Sequence, residues 1–215
     1  MIGIMIEIEK RAKLSKEEYE KLLKLFSETG LKLTGFARLT LVHIWREDWK
    51  PAKQSPEAPF DLKIRTGDPE SSIVVKRELD EKRHSRNEFE LGFTKEKFAE
   101  HLELLVNLGF KRFVATSEHR TRFKVKEFNV SLYHHKTIDT YMIEAGLTTE
   151  DETQTEKLET ELDEFFQDLD LKLLSSQETE DILQEMNDVA DYRLDFTNKT
   201  DNIREMLGKV FPDFI

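Results

Sequence analysis

The sequence predicts an α+β fold: a closed eight-stranded antiparallel β-barrel with helices packed outside. Three observations carry that expectation. Short segments through the first two thirds of the 215-residue chain alternate apolar and charged residues, the period-2 pattern of strands with one buried face. About eight such segments can be placed, enough to close a barrel and leave no exposed edge. Leucine- and phenylalanine-rich stretches at helical spacing interrupt and follow them, and their apolar stripes need a surface to cover.

The first strand falls at 4–13, with Ile4, Ile6 and Ile8 on one face and Met5, Glu7, Glu9, Arg11 and Lys13 on the other. Ser15 and Glu18 then form a capping box, and Leu22, Leu23, Leu25 and Phe26 recur at helical spacing up to Gly30, predicting a helix over 16–28. The β-rich run Leu39-Thr40-Leu41-Val42-His43-Ile44-Trp45 marks a strand within 32–45, and three prolines in 46–59 mark a surface connection. Alternation gives strands at 61–65, 72–78, 86–91, 111–117, 120–128, 130–134 and 140–144, with a helix over 95–108 stopped by Gly109. From residue 148 the pattern is helical, with one stripe of Leu158, Leu162, Phe165, Phe166 and Leu169, a second of Ile182, Leu183 and Met186, and a third of Ile203, Met206, Leu207 and Val210. The chain therefore reads as a single domain, 1–147 a barrel with two helices and 148–215 an acidic helical segment packed on its outside.

Cysteine is absent, which excludes a disulfide framework and a thiolate metal site. The apolar opening Met1-Ile2-Gly3-Ile4-Met5-Ile6 is too short for a signal-peptide core, and no run of about 18 apolar residues occurs. A cytoplasmic protein without a membrane partner, monomeric or homodimeric, is expected. The net charge is −11, but residues 61–136 carry 16 Lys/Arg against 13 Asp/Glu and residues 144–215 carry 6 against 21. An acidic tail of that weight repels a phosphate backbone, so nucleic acid is not expected as a partner. No Gly-rich P-loop, Ser-His-Asp arrangement or zinc-finger spacing is present.

The polar strand faces carry full charges of both signs: Glu7/Glu9/Arg11, Asp61/Lys63/Arg65, Lys76/Glu78, Arg86/Glu88/Glu90, Arg120/Arg122/Lys124 and Glu144. Turned inward, they line a wet interior in which cations grip phosphate oxygens and carboxylates hold Mg²⁺ or Mn²⁺ through hard oxygen contacts. Turned outward, they are ordinary solvated faces.

In this series Glu7-Ile8-Glu9-Lys10-Arg11 resembles the Glu-x-Glu-x-Lys signature that opens the CYTH family, the triphosphate tunnel metalloenzymes, relatives of thiamine triphosphatase and class IV adenylyl cyclase. Leu62-Lys63-Ile64-Arg65, Val74-Val75-Lys76, Arg86-Asn87-Glu88-Phe89-Glu90 and the pair Arg120 and Arg122 resemble that family's later strands, in the same order. The resemblance covers residues 1–146. It implies a charged tunnel that binds a triphosphate-bearing small molecule, with Arg11, Lys63, Arg65, Lys76, Arg86, Arg120 and Arg122 on the phosphates. Glu7, Glu9, Glu88, Glu90 and Glu144 are implied as ligands of Mg or Mn, with Glu7, Glu9 and Arg11 carrying the chemistry. The implied activity is metal-dependent hydrolysis of tripolyphosphate, a nucleoside triphosphate or thiamine triphosphate; the alternatives are a non-catalytic triphosphate-binding module or an adenylyl cyclase.

Three positions depart from the family pattern. Arg11 replaces the signature lysine, Tyr133 stands where an inward Asp is expected, and Gly146 removes the second carboxylate of a Glu-x-Glu that begins at Glu144. His134 and His135 are adjacent, so on a strand they face opposite ways and cannot chelate one ion. His43, Trp45 and Trp49 read as packing groups.

Overall fold

A computed structural model describes residues 6–49, 58–67, 71–78, 86–189, 193–198, 202–212 and 214. The elements are β1 (Ile6–Leu14), α1 (Lys16–Thr29), β2 (Leu31–His43), β3 (Asp61–Gly67), β4 (Ser71–Glu78), β5 (Arg86–Phe93), α2 (Phe98–Asn107), β6 (Arg112–Val125), β7 (Phe128–His135), β8 (Thr140–Thr149), α3 (Thr155–Asp168), α4 (Ser176–Asp188), β9 (Arg193–Asp195) and α5 (Ile203–Val210). The start of the first expected strand, residues 4 and 5, and most of the expected 46–59 connection lie outside the described residues.

All strand pairings are antiparallel, in the order β2-β3-β4-β5-β1-β8-β7-β6-β9, and β2 also pairs with β6. Eight long strands thus form a strongly curled sheet, but the closed barrel expected from the sequence is corrected to an open half-barrel. The weak seam is between β1 and β5. Among the described residues it holds only Ile6 opposite Asn87 and Glu7 opposite Arg86, while β1 runs its whole length along β8. Two further corrections concern β6 and the tail. The expected strands 111–117 and 120–128 are one continuous β6, because Glu118 is an inward residue of an unbroken alternation and not a polar turn. The helical tail also contains a strand, β9, paired with Arg112, Phe113 and Val114.

The local rules explain the ends of the helices. Ser15 and Glu18 cap α1 reciprocally, as the sequence predicts, and Ser175 and Glu178 do the same for α4. Gly30 ends α1 in an extended conformation; a Cβ there would stand 3.0 Å from the Phe26 carbonyl oxygen and 3.2 Å from Val125, so close approach and not a left-handed turn requires glycine. Gly109, at φ +105°, supplies the left-handed residue that closes α2.

Alternation sends apolar side chains outward under the helices. Leu22 and Phe26 of α1 and Leu162 and Phe166 of α3 cover Ile8, Phe123, Leu132 and Ile143. On the other side Phe98 and Leu102 of α2 and Leu207 of α5 cover Leu39, Leu41, Ile64 and Phe113. Shortening Leu102, fully buried in this layer, to Ala is expected to cost about 2–5 kcal/mol, read as a lower denaturant midpoint at unchanged slope. The second tail stripe behaves differently from expectation. Ile182 and Met186 of α4 rest on Tyr133 and Met142, whose places in the register put them on the inward face, together with Ile138 of the β7–β8 turn. So α4 fills one end of the sheet's interior instead of lying on its outside.

His43, Trp45, Phe60 and Phe110 form a ring cluster at centroid distances of 4.8 to 6.2 Å, confirming these aromatics as packing groups. Among the described residues no helix is long and apolar enough to cross a membrane.

Candidate functional site

Residues opposite one another on paired strands share a face. Following the register from Glu9 and Arg11 on β1 to Glu144 on β8, Ser131 and Tyr133 on β7, Arg120 and Arg122 on β6, Arg38 on β2, Lys63 and Arg65 on β3, Lys76 on β4 and Glu88 and Glu90 on β5 stays on the inward face throughout. Every residue assigned to the site from sequence is on that face. The side chain of Arg86 lies outside what is described, although its backbone stands opposite Glu7.

The interior contains two ion-pair groups. In the first, charges alternate across four strands. Arg38 Nη2 meets Glu118 Oε1 at 2.5 Å, and Arg120 donates from Nε to the same oxygen at 2.8 Å. From Nη1, Arg120 donates to Glu144 Oε1 at 2.9 Å; Arg11 donates from Nε to Glu144 Oε2 at 2.7 Å and from Nη2 to Glu9 Oε2 at 2.6 Å. In the second group, Lys76 Nζ stands 2.6 Å from Glu88 Oε2 and 3.1 Å from Glu7 Oε2.

These pairings set the protonation states. Burial alone would raise the Glu118 carboxyl, but Arg120 and Arg38 hold it down to about 2. Glu144 is likewise held well below the usual carboxylate range by Arg11 and Arg120, against the effect of its burial. Arg38 is lowered to about 10, first by burial and then by the neighbouring Arg120, with Glu118 only partly compensating and Arg65 adding repulsion. Glu7 is pushed up to about 8 by burial and by Glu9, with Lys76 opposing and Glu88 adding to the rise. The Tyr133 phenol is raised by burial and by Glu144, and Arg120 lies over its ring at 4.3 Å.

Glu7 therefore gives a pH prediction. With an ordinary value of 4.5 and a folded value of about 8, its protonated form favours the folded state; that contribution is full below pH 4.5 and is lost as pH rises to about 8. In chelator, Glu7→Gln is expected to melt progressively higher than the parent between pH 5 and pH 8. A melting difference that stays flat across that range would mean that Glu7 ionises normally.

A second feature is a narrow cavity lined by Phe36, Arg38, Arg65, Ser72, Glu90 and Arg122. The Nε atoms of Arg38 and Arg65 are buried and make no hydrogen bond, and Arg122 stands 5.2 Å from the centre of the Phe36 ring. Cations in excess of carboxylates, with donors unsatisfied, make this the anion-seeking part of the interior.

The structure sorts the five carboxylates assigned to metal. Glu7, Glu9 and Glu88 gather around Lys76 and offer the hard oxygen donors that Mg²⁺ or Mn²⁺ takes. The raised value of Glu7, driven partly by its carboxylate neighbours, marks a place short of positive charge. Both oxygens of Glu144 are engaged by arginines, Oε2 by Arg11 and Oε1 by Arg120, so in this arrangement it organises cations. Glu90 stands apart from these three and lines the arginine cavity. Among the described residues no three acidic or histidine side chains stand close enough to form a ready metal cluster, so Glu7, Glu9 and Glu88 would have to release Lys76 and Arg11 first.

Arg38 and Glu118 were not foreseen. Arg38 belongs to the alternation Phe36-Ala37-Arg38, hidden by the apolar run that follows, and Glu118 falls between the two segments into which the sequence reading divided β6. His135 faces Glu118 at 3.7 Å while His134 stacks on Tyr141 at 4.2 Å outside, so the two diverge as expected. At Gly146, opposite Glu9, a Cβ would stand 3.2 Å from the Ile8 carbonyl oxygen and 3.4 Å from Glu9 Cγ, which leaves little room for the missing carboxylate.

No protein-family model and no curated protein sequence matches this chain. Solved structures do. The PH1819 protein from Pyrococcus horikoshii OT3 is 20% identical, with a TM-score of 0.66 over 83% of this chain and 99% of its own. An adenylate cyclase candidate from Vibrio parahaemolyticus is 16% identical, with a TM-score of 0.58 over 80% of this chain and 96% of its own. HpAC1 from Hippeastrum, an adenylyl cyclase candidate described as having a dominant triphosphatase activity, is 15% identical, with a TM-score of 0.53 over 84% of this chain and 95% of its own. The curled charged sheet and these likenesses together give this chain the fold of the CYTH, or triphosphate tunnel, proteins.

Proposed function

We propose that this chain is a divalent-metal-dependent hydrolase of a triphosphate substrate, tripolyphosphate, a nucleoside triphosphate or thiamine triphosphate, acting inside the half-barrel. The observation that carries the reading is the convergence of Arg11, Arg38, Arg65, Lys76, Arg120 and Arg122 on one interior, beside Glu7, Glu9 and Glu88. Phosphoryl transfer needs dispersed negative charge to be held and the reacting groups to be positioned, and little else from the protein. Fixed guanidinium groups supply this best where bulk water is excluded, because the field of each is then less screened. Lys63, on the same face, extends the cationic wall. Glu7, Glu9 and Glu88 would hold a Mg²⁺ or Mn²⁺ ion, which would supply Lewis acidity to the phosphoryl group.

The names of the Hippeastrum and Vibrio proteins favour triphosphate chemistry without choosing between hydrolysis and cyclisation. A second reading, a binding module without turnover, draws on Tyr133, which fills the place of an expected acid beneath α4, and on Gly146. The test is phosphate release from the three substrates with Mg²⁺ or Mn²⁺, with cyclic AMP measured alongside ATP. Release supports the hydrolase. Thermal stabilisation by tripolyphosphate without release would move the chain to the binding class, and neither would overturn both.

A further inference from the structure

We infer that metal and triphosphate bind this interior cooperatively, because each half of the site is engaged by the other half; the inference rests on the function proposed above. The phosphate-holding cations are bonded to the carboxylates assigned to metal. Lys76 Nζ stands 2.6 Å from Glu88 and 3.1 Å from Glu7, and Arg11 Nη2 stands 2.6 Å from Glu9. An ammonium or guanidinium that turns toward a phosphate oxygen leaves a carboxylate unpaired in a largely buried place, and an unpaired buried charge is costly. A divalent cation arriving at those carboxylates removes that penalty. It would meet the converse penalty itself if Lys76 and Arg11 had no phosphate to turn to.

The result is an exchange of partners, Lys76 and Arg11 passing from carboxylate to phosphate as the carboxylates pass from ammonium and guanidinium to metal. Linkage makes the gain mutual. Glu144 anchors the exchange. It keeps Arg11 Nε at 2.7 Å and Arg120 Nη1 at 2.9 Å, so Arg11 can release Glu9 without losing its orientation.

The test uses the intact protein and two probes by isothermal titration calorimetry: inorganic tripolyphosphate in chelator, and Mn²⁺ alone. Each single removal should have a sign opposite to that of a simple ligand. Glu9→Gln and Glu88→Gln, which take one carboxylate partner each from Arg11 and Lys76, are expected to tighten metal-free tripolyphosphate binding by about tenfold, within the usual range of coupling between sites. Glu127→Gln removes the same charge from the exposed turn between β6 and β7, at a residue with no ion pair among those described, and is expected to change it less than about threefold. Reciprocally, Lys76→Gln is expected to tighten Mn²⁺ binding by about tenfold, although it deletes a phosphate-holding cation.

Equal tightening in all three carboxylate variants would mean diffuse charge removal and would overturn the exchange. So would Mn²⁺ affinity that is unchanged or weaker in Lys76→Gln. A parent that binds both probes while the variants stay unmoved overturns the coupling alone; a parent that binds neither overturns the proposed function with it.

Discussion

Glu118→Gln is expected to destabilise the protein by about 3–5 kcal/mol, the cost of stranding buried charge when one partner of an ion pair is removed. For a chain of this size that corresponds to a melting temperature lower by roughly 6–20 °C. The magnitude follows from the geometry: one carboxylate oxygen receives both Arg38 and Arg120, all three side chains being less than 10% exposed. Arg120 keeps Glu144 after the change, but the Arg38 guanidinium is left beside two other cations that already lower it. A double variant with Arg38→Gln should therefore recover part of the loss, since it removes the stranded charge. The pH dependence has a definite sign. With a folded value of about 2 against an ordinary 4.5, Glu118 stabilises fully above pH 4.5, and that contribution disappears as pH falls toward 2. A loss below about 1 kcal/mol in Glu118→Gln would show that water reaches Arg38 freely.

Glu9→Gln should reduce metal-dependent phosphate release from tripolyphosphate by about 10²-fold or more, a loss typical of groups that position or neutralise transition-state charge. The same substitution is expected to tighten metal-free binding of that substrate. A fall in turnover with a rise in affinity separates a metal-holding role from a structural one, because a variant that merely unfolds loses both. Retained turnover in Glu9→Gln would remove Glu9 from the chemistry and leave Glu7 and Glu88 as the acidic pair.

The strands were legible because alternation is a strong signal wherever one face is buried. Glu7, Glu9 and Arg11 could be assigned to one face from three letters of sequence, and the register bears that out. What alternation could not give was closure, since the β1–β5 seam depends on how two segments far apart in sequence diverge. Nor could it give partner choice. The family resemblance implies a metal role for Glu144, while two arginines from β1 and β6 take its oxygens, and nothing local in sequence announces them. Glu118 was missed for a related reason: Ser117, Glu118 and His119 look like a polar break until the chain is seen to continue straight through them. The tail showed its helices by period, but not that the Ile182 and Met186 stripe would seek an interior and not an exterior surface.

That stripe decides what one end of the charged interior meets. With α4 seated on Tyr133 and Met142 beside the β7–β8 turn, apolar side chains and not water cover that end of the charged interior. Glu118, opposite His135 and next to the Arg120 and Tyr133 pair, therefore keeps its charge beside a dry apolar cover, where an ion pair is least screened.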